Sequence, residues 1–231
     1  MKIGKLKIKK RWIIAISLII VVGICSIIPA VITSSAPKSE YVVVIDAGHG
    51  ARDGGCIGVN GTIEKDINLE YAKTLKKYLE NRNVKVVMTR TKDEALYEDS
   101  DSNKKSADMR ARAKIIRNVK PDLVVSIHMN SFSQKSATGA RVYHKQNSEV
   151  SKSIADLVQK SFYYYCNAKL KNSAVGDYYI LNCTDYTSIL IECGYLSNVE
   201  EEAKLNTKEY KEKLMFSAFS AILVFLGLDF Y

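Results

Sequence analysis

Histidine, proline and tryptophan are all scarce in this chain, whose 231 residues contain 3 His, 3 Pro and 1 Trp. So few prolines, with only 12 Gly, exclude a collagenous chain, and 47% hydrophobic residues exclude a disordered one. The 5 Cys (Cys25, Cys56, Cys166, Cys183 and Cys193) include no CxxC pair. A chain of this length builds its own core and needs no disulfide staples, so scattered, mostly reduced cysteines are expected. Internal repeats, low-complexity tracts and a separate carbohydrate-binding module are also missing. The length suits one domain, or one domain with an appendage.

A basic excess is present, but it is local. The formal net charge is +9, and Lys2, Lys5, Lys7, Lys9, Lys10 and Arg11 supply six of those charges, leaving +3 on everything that follows. With no recognisable nucleic-acid motif, that distribution argues against a nucleic-acid partner. Residues 1–11 read instead as a basic cytosolic N-terminus. Residues 12–33, WIIAISLIIVVGICSIIPAVIT, carry no charge. As a helix they would span roughly 33 Å, enough to cross the hydrocarbon core of a bilayer. The basic block before them keeps the N-terminus inside and exports the rest. The run is either a transmembrane anchor or a cleaved signal, with Ser34-Ser35-Ala36 as small residues at a cleavage site. Its length beyond the roughly 7–15 apolar residues of a signal peptide favours the anchor. So does Pro37, a poor first residue of a mature chain. Residues 34–40 form a linker, and a folded domain is expected over 41–231.

The exported part alternates strands and helices. Tyr41–Asp46 is a continuous β-branched run, as in a strand buried on both faces. A glycine-rich loop follows, and Ile67, Tyr71, Leu75, Tyr78 and Leu79 then recur at helical spacing over 64–81. Strands are predicted at 84–89, 123–128, 139–144, 177–181 and 188–192. Helices are predicted at 104–118, 149–168 and 208–226, the last too short in its apolar part to span a membrane and so docked on the core. The pattern gives an α/β fold: a single three-layer domain whose twisted, mostly parallel central sheet is flanked by helices, preceded by the N-terminal membrane helix.

Two of the three histidines directly follow apolar strands, His49 in Ile45-Asp-Ala-Gly-His49 and His128 in Val125-Ser-Ile-His128. Glu64 opens the first helix of the domain and Glu192 closes Ile189-Leu-Ile-Glu192. Ligands bind at the carboxyl ends of strands in open α/β sheets, so a parallel sheet would bring these four groups to one rim. A catalytic zinc uses three protein ligands and leaves a position for water, and a further carboxylate can take that water's proton. The spacing alone is weak evidence, because Glu64 could simply cap a helix and the histidines could be structural.

Six ordered segments add to that reading: Val44-Ile-Asp-Ala-Gly-His-Gly50, Asp53-Gly-Gly55, Gly61-Thr-Ile-Glu-Lys-Asp66, Met88-Thr-Arg90, Val125-Ser-Ile-His-Met-Asn130 and Ile191-Glu-Cys-Gly-Tyr-Leu-Ser-Asn198. Together they resemble the catalytic domain of the zinc-dependent N-acetylmuramoyl-L-alanine amidases of type 3, over residues 41 to about 228. The resemblance implies one Zn2+ on His49, Glu64 and His128, with Glu192 as the catalytic glutamate. It implies hydrolysis of the amide between N-acetylmuramic acid and the L-alanine of the peptidoglycan stem peptide. Ala47 in place of a frequent Pro, Asn182 in place of a common basic residue, and Thr187-Ser188 in place of Pro-Ala depart from the family pattern. The Asn182 change puts substrate contacts there in doubt.

A lone catalytic domain behind a basic membrane leader is also similar to the germination-specific amidases of spore-formers. That similarity implies work in the spore cortex on the outer side of the membrane, muramic-δ-lactam formation, and a peptidoglycan deacetylase in the same pathway. The alternatives are a vegetative autolysin in cell separation and an inactive membrane-tethered peptidoglycan-binding protein. Around the site, Asp46 could orient His49, and Asn130 and Ser131 could line the groove or form a turn. Arg90, Arg110 and Arg112 could meet substrate carboxylates, although structural salt bridges are their commoner use. His144 is expected at the surface and Cys193 in the core.

Overall fold

The computed structural model describes residues 41–98, 100–166 and 171–229. The basic N-terminus, the apolar run 12–33 and the linker 34–40 lie outside these residues. Among the described residues no helix is long and apolar enough to cross a membrane.

The β-branched runs make the centre of the sheet. β1 (Val42–Ala47), β3 (Leu123–Asn130) and β6 (Ser188–Tyr195) are buried almost throughout, because helices cover both of their faces. Between them in sequence come α1 (Glu64–Glu80), β2 (Lys85–Met88) and α2 (Lys104–Val119), then β4 (Arg141–His144), α3 (Glu149–Cys166), β5 (Ala174–Val175) and α4 (Tyr179–Asn182). α5 (Val199–Leu205) and α6 (Lys208–Phe225) follow β6. The six-stranded sheet has the order β2-β1-β3-β6-β4-β5. β2, β1, β3 and β6 are mutually parallel, β4 runs antiparallel to β6, and β5 is parallel to β4.

One face carries the larger core, in which Ile67, Tyr71 and Leu75 of α1 meet Ile154 and Phe162 of α3 and Leu214 and Ile222 of α6. The docked character expected of the last helix holds. Leu214, Met215, Ala218, Ile222 and Leu223 are fully buried, and α6 packs against α1 and α3. Its first turn is closed by Thr207, whose hydroxyl accepts from Tyr210 N at 3.2 Å. Thr207→Ala is therefore expected to cost about 1 kcal/mol, read as a lower urea midpoint with an unchanged slope. The other face is smaller: Val44, Val124 and Leu190 of the sheet meet Ile116 of α2 and Ile180 and Leu181 of α4.

Two expectations are corrected here. Residues 177–181 are not a strand. Ile180 and Leu181 are neighbours in sequence, yet both bury into the smaller core, which one helical turn permits and an alternating strand does not. The Asn182 amide closes that turn by donating to Tyr178 O and Asp177 Oδ1. His144 is buried, not at the surface, because β4 is flanked by β6 on one side and β5 on the other. α5 was not anticipated, although Asn198 followed by Glu200, Glu201 and Glu202 is a legible start signal. The Asn198 side chain accepts from Glu200 N and Glu201 N.

Candidate metal centre

Because β1, β3 and β6 are parallel, their carboxyl ends reach one rim. His128 and Glu192 are register partners across β3 and β6. His49 stands just past β1, with φ at +62°, in the left-handed region that costs a non-glycine residue about 1 kcal/mol or more. Two buried arginines hold that turn. Arg112 donates to Ala47 O at 2.9 Å and His49 O at 2.7 Å, and Arg90 donates to Ala47 O and Gly48 O, both at 2.9 Å. At 2% and 1% exposure Arg90 and Arg112 are structural, whereas Arg110 is exposed.

The turn aims His49 at Glu64, which α1 presents from its first residue. Glu64 Oε1 lies 3.1 Å from His49 Nε2 and 3.0 Å from His128 Nδ1. One donor atom from each of the three residues lies within 4.8 Å of the other two. Zinc at about 2.1 Å from each ligand asks for ligand atoms ~3.4 Å apart. Two of the three separations here, 3.1 and 3.0 Å, lie close to that, so this two-nitrogen, one-oxygen set has the ligand types and spacing to hold a metal ion. The backbone is shaped around it. Gly48 leaves no room for a Cβ, which would stand 2.2 Å from the His128 ring, and a Cβ on Gly55 would stand 2.4 Å from Glu64 Oε2. Gly48→Ala is expected to push the His128 ring aside and weaken metal binding at least tenfold, read by competition with a chelating dye.

Glu64 is fixed by more than the histidines. Its Oε2 accepts from Cys56 N at 2.9 Å, and Oε1 accepts from Met129 N and the Asn68 amide, each at 3.2 Å. Burial would raise its pKa, but the hydrogen bonds and charges of His128 and His49 override burial and hold the carboxyl well below the usual range. For His49 burial disfavours charge, while Glu64 and Asp53 outweigh it and raise the pKa. The partner of His49 Nδ1 is Asp53, whose Oδ1 lies 2.9 Å away. Asp46, the orienting residue suggested by the sequence, turns the other way and bonds to Arg112, Thr89 and Ser126. The signal for Asp53 was present in Asp53-Gly-Gly55, but its role was not.

Glu192 is 8% exposed, and its Oε2 has no hydrogen-bond partner. Burial pushes its pKa up to about 7, with the charges of His128 and His49 pulling down and that of Glu64 pushing up. A cavity of about 650 Å3 joins Glu192 to His49, Glu64 and His128, and Asn130 and Ser131 line it as well. Cys193, next in the chain, is fully buried on the opposite face of β6, and all four cysteines among the described residues are unpaired.

A sequence model described as N-acetylmuramoyl-L-alanine amidase matches residues 43–223. The chain belongs to that family. It is 31% identical over 196 residues to the germination-specific N-acetylmuramoyl-L-alanine amidase of Bacillus subtilis strain 168, covering 82% of this chain and 81% of the relative. It is 29% identical to the amidase LytC of the same organism, but spans only 36% of that longer protein. Among solved structures, the CwlD amidase of Clostridioides difficile in complex with the GerS lipoprotein superposes with a TM-score of 0.78. That match has 30% identity and covers 82% of this chain and all of the other. The chain is thus a hydrolase of the peptidoglycan amidase family, similar to its germination-specific members. In this amidase the four residues singled out from the sequence all face one cavity.

Proposed function

We propose that the chain is a zinc-dependent N-acetylmuramoyl-L-alanine amidase in which His49, Glu64 and His128 hold one Zn2+ and Glu192 is the general base. The observation that carries this is the convergence of the three donor atoms beside a buried, unpartnered carboxylate in one cavity. Zinc, when bound, supplies a Lewis acid that polarises the scissile carbonyl and makes water a nucleophile near neutral pH. Glu192 takes a proton from the attacking water as its oxygen bonds to the lactyl carbonyl carbon. The same carboxyl then gives that proton to the departing nitrogen of L-alanine as the C–N bond breaks. Asp53 keeps His49 turned toward Glu64, and the backbone amides of Cys56 and Met129 keep Glu64 in place.

The place of action is the spore cortex, where stem-peptide removal precedes muramic-δ-lactam formation and a peptidoglycan deacetylase acts in the same pathway. Similarity to germination-specific relatives supports this over a vegetative autolysin. An intact base beside the metal set speaks against an inactive peptidoglycan-binding protein, which has no use for one. The uncharged run 12–33 behind the basic residues 1–11 supports a catalytic domain, 41–231, on the outer side of the membrane, either anchored or released by cleavage. The solved relative pairs with a lipoprotein, so a lipoprotein partner is a second candidate beside the deacetylase.

The test is incubation of the protein with intact peptidoglycan, with and without zinc, and mass spectrometry of what is released. Free stem peptides with a new L-alanine amino terminus, appearing only with zinc, are expected. One bound zinc without release, on both vegetative and cortex peptidoglycan and with the lipoprotein present, would favour the binding-protein alternative.

A further inference from the structure

The catalytic cavity has a neighbour that the reaction itself does not explain. A groove of about 730 Å3 opens next to it, and Ser131 lines both. Cys56 lines the cavity and Ile57, the next residue, lines the groove. The two differ in wall and in charge. The cavity is walled by α2 and α4, on the side of the smaller core, and by the turn after β1. Arg52 and Lys105 are exposed at its edge, and Lys105 lies near enough to lower the pKa of Asp53. Four of the five acids of the cavity are paired, Asp46 and Asp108 with Arg112 and Glu64 and Asp53 with the histidines. Glu192 stands unpartnered inside the cavity, whereas the exposed charges at its edge are the cations Arg52 and Lys105.

The groove is walled by the loop before α1 and the start of α5, which packs on β6 and α6. Ile57, Val59 and Val199 are 69%, 52% and 53% exposed along it. Its remaining lining is hydroxyl and amide, including Ser131, Thr138 and Asn198, and its two charged residues, Lys135 and Glu200, have opposite signs. Thus a near-neutral, mixed apolar and hydroxyl trough adjoins, at Ser131, a cavity whose edge is cationic.

We propose that the two recesses divide the substrate, and this rests on the amidase reading. The glycan strand lies in the groove, its uncharged sugars and N-acetyl methyl groups against Ile57, Val59 and Val199. The stem peptide, which carries free carboxylates, enters the cavity toward Arg52 and Lys105. The scissile amide joins exactly these two chemically different arms, so charge complementarity sets the direction of the polymer across the site.

The test binds a stand-in for each arm of the substrate separately to the detergent-solubilised full chain, so that turnover is not required. One probe is a neutral tetrasaccharide of N-acetylglucosamine, which lacks the lactyl carboxylates that hydrolysis leaves on N-acetylmuramic acid. The other is a synthetic stem tripeptide with free carboxylates, alongside its amidated form. Lys105→Glu is expected to weaken tripeptide binding about tenfold, to leave the amidated peptide and the glycan unchanged, and to remove the salt dependence of tripeptide binding. The exposed pair Ile57→Ser and Val199→Ser is expected to weaken glycan binding about tenfold and leave the tripeptide unchanged. Reversed effects, equal effects of both variants on both probes, or no effect of either variant would overturn the assignment. Wild-type release of stem peptides, measured in parallel, reports on the amidase reading alone, so the two ideas can fail independently.

Discussion

Glu192→Gln is expected to lower kcat by about 10²–10⁴-fold while the protein keeps one zinc per chain. The substitution preserves shape in a site where the carboxyl is buried and one of its oxygens has no partner. What it removes is the ability to accept a proton. KM should change little, because the group meets the reacting water and not the distant parts of the polymer. Thermal stability should rise, since an unpaired buried carboxylate is disfavoured and a neutral amide relieves that cost. His128→Ala should behave differently and lose zinc and activity together, because its ring supplies one of the three converging donor atoms. Zinc loss from the Glu192→Gln protein would make Glu192 a ligand and sink its assignment as base. Metal analysis and steady-state kinetics on the two variants separate these cases.

The residues of the candidate site were legible because strand ends are legible. A continuous β-branched run announces a central parallel strand, and the polar residues toward its carboxyl end then lie near the rim. His49 stands just past β1, and His128 and Glu192 lie shortly before the ends of β3 and β6, which continue to Asn130 and Tyr195. What failed was local geometry that depends on the third dimension. Asp46 and Asp53 are both near His49 in sequence, and only the fold shows that Arg112, arriving from α2, claims Asp46 and leaves Asp53 to the histidine. His144 was misplaced because position on an edge or inside a sheet depends on strand order, which a sequence does not print. The turn at 179–182 was misread because two adjacent apolar residues fit a strand as well as a helical turn until the pocket they fill is known. The glycines were quoted as motif, but the reason for Gly48 is a ring from another strand.

The buried pair of Asp46 and Arg112 carries the other large expected effect. Asp46 Oδ1 lies 2.7 Å from Arg112 Nη1, both side chains are nearly inaccessible, and Asp46 Oδ2 accepts from Ser126 Oγ at 2.6 Å. Burial would raise the Asp46 pKa from its ordinary 3.8, but Arg112 and Ser126 override it and hold the carboxyl at about 2. A folded-state pKa below the unfolded one means that the group stabilises fully above pH 3.8 and loses that contribution as pH falls through about 2. The contribution is about 2 kcal/mol. Asp46→Ala goes further, because it leaves the Arg112 charge buried without one of its partners, and should cost about 3–5 kcal/mol. In a domain of this size that corresponds to a Tm drop of about 10 °C. Asp46→Asn should cost less at neutral pH, since an amide oxygen still accepts from Arg112, and should flatten the acid limb of the stability curve between pH 2 and 4. Because Arg112 also holds the carbonyl of His49, the Asp46→Ala protein should bind zinc more weakly even where it remains folded. Urea titrations across pH, with zinc affinity measured on the same samples, test both parts. A wild-type stability curve with the same acid limb as Asp46→Asn would show that this ion pair does not couple to folding.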